Sequence, residues 1–259
     1  MAIENTVVVP AYHEKLNIRP LTTRLFDAMG KTGSKTTELI FVDDNSNDGS
    51  IEEVEALQKE GYNVRIIVRT TERGLSSAVM RGFKEGKGEY LLCMDADLQH
   101  PPESVPAFFK ALREYPFVTG TRYAEGVAID DSWPWYRRVI SSGARYMARP
   151  LTSASDPMGG FFGLQKKYLL QAKDINEKGF KIALELLARL PLPADKPIGE
   201  VPYSFGVRTE GESKLDSKVM IQYLEQLKDL YIYKFGLVPI LAFILGLAVF
   251  ALYILSLLL

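Results

Sequence analysis

The sequence predicts an α/β fold in which a mostly parallel central sheet is flanked by helices. Over residues 6–97, short apolar segments alternate with segments of helical period. The apolar segments lack a strict alternation of polar and apolar residues, which indicates strands that are buried on both faces. The connections between them are short, and strand–helix–strand units of this kind form parallel sheets with right-handed crossovers.

The first part of the chain supplies the strands and helices of this sheet in order. The strands are expected over 6–12, 38–46, 63–70 and 89–97, and the helices over 16–29, 50–61 and 76–88. Glycines at or near the ends of the second and third helical segments favour helix termination there, since glycine readily adopts the left-handed conformation. Polar residues follow each predicted strand, and ligands of parallel sheets bind at these carboxyl ends.

After Pro150 the pattern is less regular. A glycine turn leads into a strand within 157–169, and an amphipathic helix over 180–193 ends in prolines. A strand at the start of 198–215 runs into a charged loop that contains glycine. Residues 216–235 have helical period with one broad apolar face. That face comprises Val219, Met220, Tyr223, Leu224, Leu227, Leu230 and Tyr231.

The segment 237–259 is apolar and contains no charged side chain. Because about 20 apolar residues span a bilayer, we expect one C-terminal transmembrane helix there, with a buried core helix as the alternative. We therefore expect 1–215 to be a cytosolic catalytic domain and 237–259 a tail anchor. We expect 216–236 to be an amphipathic helix at the membrane interface, with ordinary packing on the domain as the alternative. The cytosolic orientation rests on the lack of a signal peptide and on Lys228 and Lys234 before the anchor.

Composition excludes several classes of protein. The net charge of −1 does not indicate a nucleic-acid-binding protein. The single cysteine, Cys93, excludes an internal disulfide and lies in an apolar run, so we expect a buried apolar side chain rather than a nucleophile. The segment 71–79 contains one glycine where a dinucleotide-binding fingerprint needs three, which argues against a Rossmann dehydrogenase.

The strongest candidate site follows the predicted strand 89–97. Asp95 and Asp97 are two residues apart, so in a strand they point to the same side, and Gln99 adds an amide oxygen. Mg²⁺ and Mn²⁺ prefer such oxygen ligands and take the remainder from phosphates and water. The sequence therefore predicts a metal site that neutralises a diphosphate leaving group. An ordinary pair of surface aspartates is the alternative.

Two further strand ends carry candidate nucleotide contacts. Asp43 and Asp44 end the second predicted strand, where a carboxylate can accept hydrogen bonds from a nucleobase edge or a ribose hydroxyl. Pro10 ends the first strand, after which Tyr12 is placed to cover a base and Glu14 to bind a ribose hydroxyl. The alternative for both segments is a loop with a helix cap, because good capping residues follow.

Arginine and aromatic residues accumulate over 120–150. Arginine binds phosphate oxygens bidentately, and amphipathic aromatic residues are typical of a membrane interface. We therefore expect a lipid-linked phosphate to bind here, with a solvated basic helix or an RNA surface as alternatives. The candidate contacts are Arg122, Arg137, Arg138 and Ser141. A loop with Arg208 and Lys214 near its ends is expected to close over a diphosphate, with a mobile surface loop as the alternative.

Together these segments resemble the dolichyl-phosphate mannosyltransferase family, and most of all its fungal single-chain form with a C-terminal anchor. The resemblance runs in order along essentially the whole chain. It rests on VVVPAYHE, FVDDNSNDGS, RGLSSAV, MDADLQHPPE, GTRY, WYRRVIS, SDPMGGFFGLQKK and RTEGESKL. It implies a fold of the GT-A type, which is found in nucleotide-sugar transferases.

The resemblance also implies substrates and an address. GDP-mannose is the expected donor and dolichyl phosphate the acceptor, giving dolichyl β-D-mannosyl phosphate and GDP for protein glycosylation and GPI anchors. The enzyme is expected in the endoplasmic reticulum membrane without an obligatory protein subunit. The resemblance places the donor on Pro10, Tyr12, Glu14, Val42 and Asp44, the diphosphate and metal on Asp95, Ala96, Asp97 and Gln99, the acceptor phosphate on Arg122, Arg137 and Ser141, and the closing loop on Arg208 and Lys214.

The expected mechanism needs no general base, because the acceptor phosphate is largely ionised near neutral pH. Positioning and charge stabilisation would accelerate the reaction, with Asp97, Arg122, Arg137 and Ser141 as the catalytic residues. Residue chemistry alone does not separate mannose from glucose or guanine from uracil. A polyprenyl-phosphate glucosyltransferase that uses a UDP-sugar therefore stays open. So does a tail-anchored, non-enzymatic binder of nucleotides or lipid phosphates, which the metal cluster disfavours.

Overall fold

The structure is a computed structural model that describes residues 2–122, 135–179, 181–204 and 217–241. For 135–141 and 217–219 it describes the backbone alone. The chain divides into two compact units, Met1–Leu215 and Asp216–Leu259.

In the described part of the first unit, the strands form one seven-stranded sheet. They are β1 (Asn5–Ala11), β2 (Thr37–Asp43), β3 (Val64–Val68), β4 (Tyr90–Cys93), β5 (Phe117–Thr121), β6 (Phe162–Gln165) and β7 (Gly199–Pro202). The helices of this unit are α1 (Lys15–Thr36), α2 (Ser50–Lys59), α3 (Leu75–Glu85), α4 (Val105–Leu112), α5 (Trp135–Ala148), α6 (Lys166–Leu169) and α7 (Ile182–Arg189).

The strand order is β3-β2-β1-β4-β6-β5-β7. The first four strands pair in parallel, and so do β5 and β7, whereas β6 runs antiparallel to both β4 and β5. The prediction of a mostly parallel sheet is confirmed. Because β6 is reversed, its first residue, Phe162, pairs with Cys93 at the end of β4. The loop that enters β6 therefore reaches the same edge as the loops that leave β1, β2 and β4.

Most of the expected elements form, with differences at their ends. The predicted strand 89–97 ends at Cys93, so Asp95 and Asp97 lie in the following turn and the argument from strand alternation was wrong. Helix α1 continues to Thr36 but is broken at Gly30, whose φ is +64°. Helix α4 and strand β5 were not predicted from the sequence.

Two apolar clusters cover the two faces of the sheet. Val7 and Val9 point to a face that α1, α2 and α4 cover, and Val8 points to a face that α3 and α7 cover. All three valines are fully buried, and burial of such a side chain contributes about 1.5–3 kcal/mol. Cys93 is also buried, as predicted, and burial raises the pKa of its thiol, so it remains a neutral apolar side chain.

In the second unit, helix α8 spans Ser217–Phe235. Gly236 follows with a φ of +80°, and its amide donates to the carbonyl of Ile232 at 2.9 Å, which ends the helix in the usual glycine conformation. Residues 237–241 are again helical. The expected broad apolar face is divided. Tyr223, Leu227 and Leu230 are buried, Met220 and Leu224 are exposed, Tyr231 is partly buried, and the side chain of Val219 is outside the described residues.

Among the helices of the described ranges, none combines the length and apolar character that a bilayer crossing requires. The predicted anchor lies within the description only for 237–241, and residues 242–259 are outside it.

Candidate active site

The loop after β1 carries the first predicted contacts. Tyr12 is 38% exposed, and its ring centroid lies 4.2 Å from that of His13. The backbone turns at His13, where φ is +59°, and the His13 amide donates to the Ser46 hydroxyl at 2.8 Å. The guanidinium carbon of Arg73 lies 5.7 Å from the Tyr12 ring centroid. Tyr12 therefore stands at the strand edge beside a cation that sequence reasoning did not include.

The other residues predicted at this edge lie close by. Pro10 and Val42 face each other in the register of β1 and β2. Glu14 immediately precedes α1, and its carboxylate accepts a hydrogen bond from Asn17 Nδ2 at 2.7 Å. The fold thus brings Pro10, Val42 and Glu14 to the carboxyl ends of neighbouring strands, and their contacts with a nucleotide stay predictions.

Asp43 ends β2 and is buried. One carboxylate oxygen accepts a hydrogen bond from the Ser46 amide at 2.8 Å, and the other accepts one from the Ser46 hydroxyl. Since Ser46 also accepts the His13 amide, Asp43 fixes the loops after β1 and β2 to each other. Asp43 therefore binds within the loop and does not cap helix α2, because the N-cap residue of α2 is Gly49 and no side chain caps it; the donor contact of Asp43 stays a prediction.

Asp44 has a different environment. It pairs with Arg69, whose Nε donates to Asp44 Oδ1 at 2.7 Å and whose Nη2 donates to the same oxygen. The Gly74 amide donates to Asp44 Oδ2 at 2.9 Å, and Arg69 Nη1 donates to the Ser77 hydroxyl at 2.7 Å. The Arg69 side chain is 4% exposed and that of Asp44 is 14% exposed. The carboxylate is therefore held rigidly at the sheet edge by β3 and the start of α3.

The predicted metal ligands lie in the turn after β4. Asp97 is buried, and its Oδ1 accepts a hydrogen bond from the backbone amide of Gln99 at 3.1 Å. Leu98 between them has a φ of +62°, which folds the chain back sharply. The Asp95 side chain is 41% exposed. The tight turn, rather than strand alternation, therefore places the carboxylates of Asp95 and Asp97 and the side-chain amide of Gln99 in one segment.

The His100 ring fixes the orientation of the Asp95 backbone. The Asp95 amide donates to His100 Nδ1 at 2.9 Å, so the ring proton of the neutral imidazole resides on Nε2. The ring stacks on Phe161 with a centroid distance of 4.9 Å and meets Tyr203 edge-on at 5.6 Å. Burial lowers the pKa of His100, although Asp95 and Asp97 raise it in opposition. A neutral, immobilised ring thus fixes the backbone of Asp95.

The side chains of Asp95, Asp97 and Gln99 are chemically suited to bind a divalent cation. The described ranges contain no group of three or more histidine, cysteine, aspartate or glutamate side chains arranged to hold a metal. Asp95, Asp97 and Gln99 instead offer two carboxylates and one amide. Mg²⁺ and Mn²⁺ are often held by one or two carboxylates, with substrate phosphates and water as the remaining ligands.

The loop that enters β6 binds Arg122, which is predicted to contact the acceptor phosphate. Arg122 donates from Nε to Asp156 Oδ2 at 2.8 Å and from Nη2 to Asp156 Oδ1 at 3.2 Å. The Asp156 side chain is 1% exposed and that of Arg122 is 16% exposed. One residue earlier in each segment, the hydroxyls of Thr121 and Ser155 are 2.8 Å apart. Two adjacent contacts therefore clamp the end of β5 to this loop.

The other predicted acceptor and loop residues are not covered in full. Arg137, Arg138 and Ser141 lie on helix α5, but their side chains are outside the described residues. Arg208 and Lys214 lie entirely outside them. Their predicted contacts stay predictions.

Sequence reasoning missed four residues at this edge: Arg73, His100, Asp156 and Lys181. Arg73, His100 and Asp156 lie within motifs that carried the family resemblance, so their positions were visible but their partners were not. Asp156 binds a residue 34 positions away, and only the reversed strand β6 brings the two together. No periodicity or spacing in the sequence predicts that contact.

Comparison with known proteins agrees with this geometry. The family model of glycosyl transferase family 2 matches residues 6–171. A dolichol-phosphate mannosyltransferase of Saccharomyces cerevisiae is 70% identical over 248 residues, which are 94% of this chain and 93% of that protein. A dolichol-phosphate mannosyltransferase of Mycosarcoma maydis is 59% identical over 256 residues, which are 97% of this chain and 87% of that protein.

A solved structure shows the same fold. Glucosyl-3-phosphoglycerate synthase from Mycobacterium tuberculosis, in complex with Mn²⁺, UDP-glucose and phosphoglyceric acid, superposes with a TM-score of 0.62. The match covers 87% of this chain and 80% of that one at 20% identity, which shows the fold alone. The prediction of a GT-A-like α/β fold is confirmed. From the family match and the identity over nearly the whole chain, this protein belongs to glycosyl transferase family 2 and, within it, to the dolichol-phosphate mannosyltransferases.

Proposed function

We propose that this enzyme transfers mannose from GDP-mannose to dolichyl phosphate and releases GDP and dolichyl β-D-mannosyl phosphate. The observation that carries the proposal is the 70% identity to a dolichol-phosphate mannosyltransferase over 94% of the chain. The site supports it, since acidic side chains from β2 and the turn after β4 meet at the edge where parallel sheets bind ligands.

The donor nucleotide is proposed to bind along the ends of β1 and β2. Asp44 is suited to accept hydrogen bonds from a ribose or a base, because Arg69 and the Gly74 amide hold its carboxylate in place. Tyr12 supplies an exposed ring for base stacking. The diphosphate then points toward Asp95 and Asp97.

Asp95, Asp97 and Gln99 are proposed to hold Mg²⁺ or Mn²⁺, and when bound the cation neutralises the charge of the departing diphosphate. The protein's own part is to keep these oxygens in place. The His100 ring fixes the Asp95 backbone, and the backbone amide of Gln99 holds the Asp97 carboxylate. Preorganised groups of this kind lower the barrier because they need no reorganisation during the reaction.

The acceptor phosphate is proposed to meet Arg122, Arg137, Arg138 and Ser141. Its ionised oxygen attacks the anomeric carbon directly, while the bond from that carbon to the donor phosphate breaks. The configuration inverts, so an α-linked donor gives a β-linked product. No side chain needs to accept a proton, because the phosphate monoester is already largely ionised.

The membrane assignments are also proposals. The uncharged segment 237–259 is proposed to anchor a single chain in the endoplasmic reticulum membrane, with the catalytic unit in the cytosol and no obligatory partner subunit. Helix α8 is proposed to lie at the membrane interface, which its exposed Ile221, Leu224 and Phe235 support. The product would serve protein glycosylation and GPI-anchor synthesis.

A donor panel tests the proposal. The purified protein is incubated with dolichyl phosphate, Mn²⁺, and GDP-mannose, GDP-glucose or UDP-glucose, and the lipid fraction is analysed by mass spectrometry. We expect glycolipid from GDP-mannose at least about tenfold faster than from either other donor, since a site that hydrogen-bonds polar substrate groups discriminates strongly. Preferred use of UDP-glucose would identify the glucosyltransferase alternative.

A further inference from the structure

The side chain of Asp95 lies against the backbone of Gly160, in the loop that enters β6. A Cβ atom on Gly160 would be 3.0 Å from Asp95 Oδ1 and 3.3 Å from Asp95 Oδ2. It would also be 3.4 Å from Cε1 of the His100 ring. Carbon and oxygen atoms that touch in proteins normally stay about 3.3–3.6 Å apart. The carboxylate of Asp95 therefore lies in space that a side chain at position 160 would need.

The backbone at Gly160 is held in place by the next residue, Phe161. The Phe161 carbonyl accepts a hydrogen bond from the Gly120 amide at 2.8 Å. The Phe161 ring is buried and stacks on the rings of His100 and Phe108, with centroid distances of 4.9 and 4.2 Å. Because a packed core resists such displacements, the loop cannot retreat from an added side chain without losing this stacking.

The Asp95 carboxylate is the part of this contact that can move. Its side chain is 41% exposed, so a methyl group at position 160 would turn it toward solvent. The Asp97 carboxylate would stay, because it is buried and accepts the backbone amide of Gln99. Mg²⁺ demands near-ideal octahedral geometry, and ligands must be held within about 0.5 Å of their productive positions. Displacement of one carboxylate away from the other would therefore weaken binding of the cation.

The backbone conformation does not explain the glycine at this position. Neither Gly159 nor Gly160 has a positive φ, so other residues could adopt the same conformation. We propose that Gly160 is a positioning residue of the metal site, because the lack of a side chain there leaves the space in which the Asp95 carboxylate faces the cation together with Asp97. This inference rests on the metal site of the proposed function.

The test compares Gly160→Ala with Gly159→Ala in the full chain in detergent. A Cβ atom on Gly159 would be 3.9 Å from its nearest neighbours, so this control adds the same methyl group to the same loop without crowding. Each protein is titrated with Mn²⁺ alone, and paramagnetic relaxation measures the affinity. We expect Gly160→Ala to weaken Mn²⁺ binding by about 10- to 100-fold, as changes around metal ligands typically do, and Gly159→Ala to leave it unchanged. Wild-type affinity in Gly160→Ala, or equal losses in the two variants, would overturn the inference.

If Gly160→Ala does not fold, the double variant with Asp95→Ala and Gly160→Ala is prepared. The crowded carboxylate is then absent, so a folded protein is expected, and an unfolded one overturns the inference because the methyl group would clash elsewhere. The titration contains no nucleotide, sugar or lipid. A wild-type protein that binds Mn²⁺ but makes no glycolipid from GDP-mannose would therefore refute the proposed function and leave this inference intact, whereas one that binds no Mn²⁺ overturns the inference.

Discussion

Asp43 and Asp44 are adjacent in the sequence and were predicted as one pair, yet they have different partners. Asp43 is satisfied within its own loop by Ser46, whereas Asp44 reaches a second strand and pairs with Arg69. An ionised carboxylate loses hydration when it is buried, so each must find donors, and the donors determine its role. Asp44, held by a side chain from the next strand, is the better candidate for a nucleotide contact.

Loss of the Arg69 guanidinium should destabilise the enzyme strongly. Arg69→Met leaves Asp44 partly buried without its counter-ion, which typically costs about 3–5 kcal/mol. Arg24→Met removes a partner from Glu103, but that pair is about half exposed and should cost about 1 kcal/mol or less. Urea denaturation of both variants measures the difference. Equal losses for the two variants would show that the Asp44–Arg69 pair contributes no more than a surface pair.

Loss of the Asp97 charge should abolish transfer without unfolding the turn. In Asp97→Asn, the side-chain oxygen can still accept a hydrogen bond from the backbone amide of Gln99. The negative charge of the carboxylate, which is proposed to bind the cation, is lost. We expect a decrease in kcat of at least about 100-fold together with weaker Mn²⁺ binding. Paramagnetic relaxation measures the Mn²⁺ affinity, and chelator should abolish wild-type activity. Asp27→Asn, on an exposed part of α1, is the control. Full turnover in excess chelator would remove the metal assignment.

Among the elements, α3 shows how tightly the layers that support the site are packed. This helix begins beside Gly74, which donates to Asp44, and crosses the sheet over β1 and β2. A Cβ atom at Gly82 would lie 2.3 Å from Val8 Cγ1 and 3.2 Å from Val42 Cγ2. The helix can approach the strands this closely only because position 82 has no side chain.

A methyl group at position 82 should therefore destabilise the fold. Gly82→Ala forces α3 away from β1 and should cost about 1–3 kcal/mol, as overpacking of a core usually does. Gly143→Ala is the matched control on α5, because no described atom lies within 4 Å of its added Cβ. Alanine normally stabilises a helix relative to glycine by about 1 kcal/mol. Thermal denaturation should show opposite shifts for the two variants, and a stabilised Gly82→Ala would contradict the close packing.

At the scale of the whole molecule, the sheet and its predicted donor residues belong to the first compact unit, Met1–Leu215. Among the residues that the structure describes, those of the two core clusters belong to that unit as well. Since folding depends on burying that apolar surface, we expect this unit to fold without the uncharged segment 237–259.

Removal of 237–259 should therefore leave a folded, nucleotide-binding protein. We expect the truncated chain to be recovered without detergent and to bind GDP with an affinity within about threefold of the full chain, because no predicted donor residue lies in the removed segment. Gel filtration and GDP calorimetry measure the two properties, with the full chain in detergent as the control. Recovery only as aggregate would show that 237–259 completes the core.

The sequence alone determined the α/β class, the parallel strands and the segments that bear the acidic and basic candidates. Hydrophobic period and turn residues are local properties, so Val7–Val9, the end of α2 near Gly61 and the position of Asp97 could be derived from them. Partners and directions could not. The end of β4 at Cys93 and the ring of His100 against the Asp95 amide depend on the turn that follows β4. The pairing of Arg122 with Asp156 and the approach of Lys181 to the Met158 carbonyl follow from the reversed strand β6. Such contacts join residues that are distant in the chain, and only the packed sheet decides which of them meet.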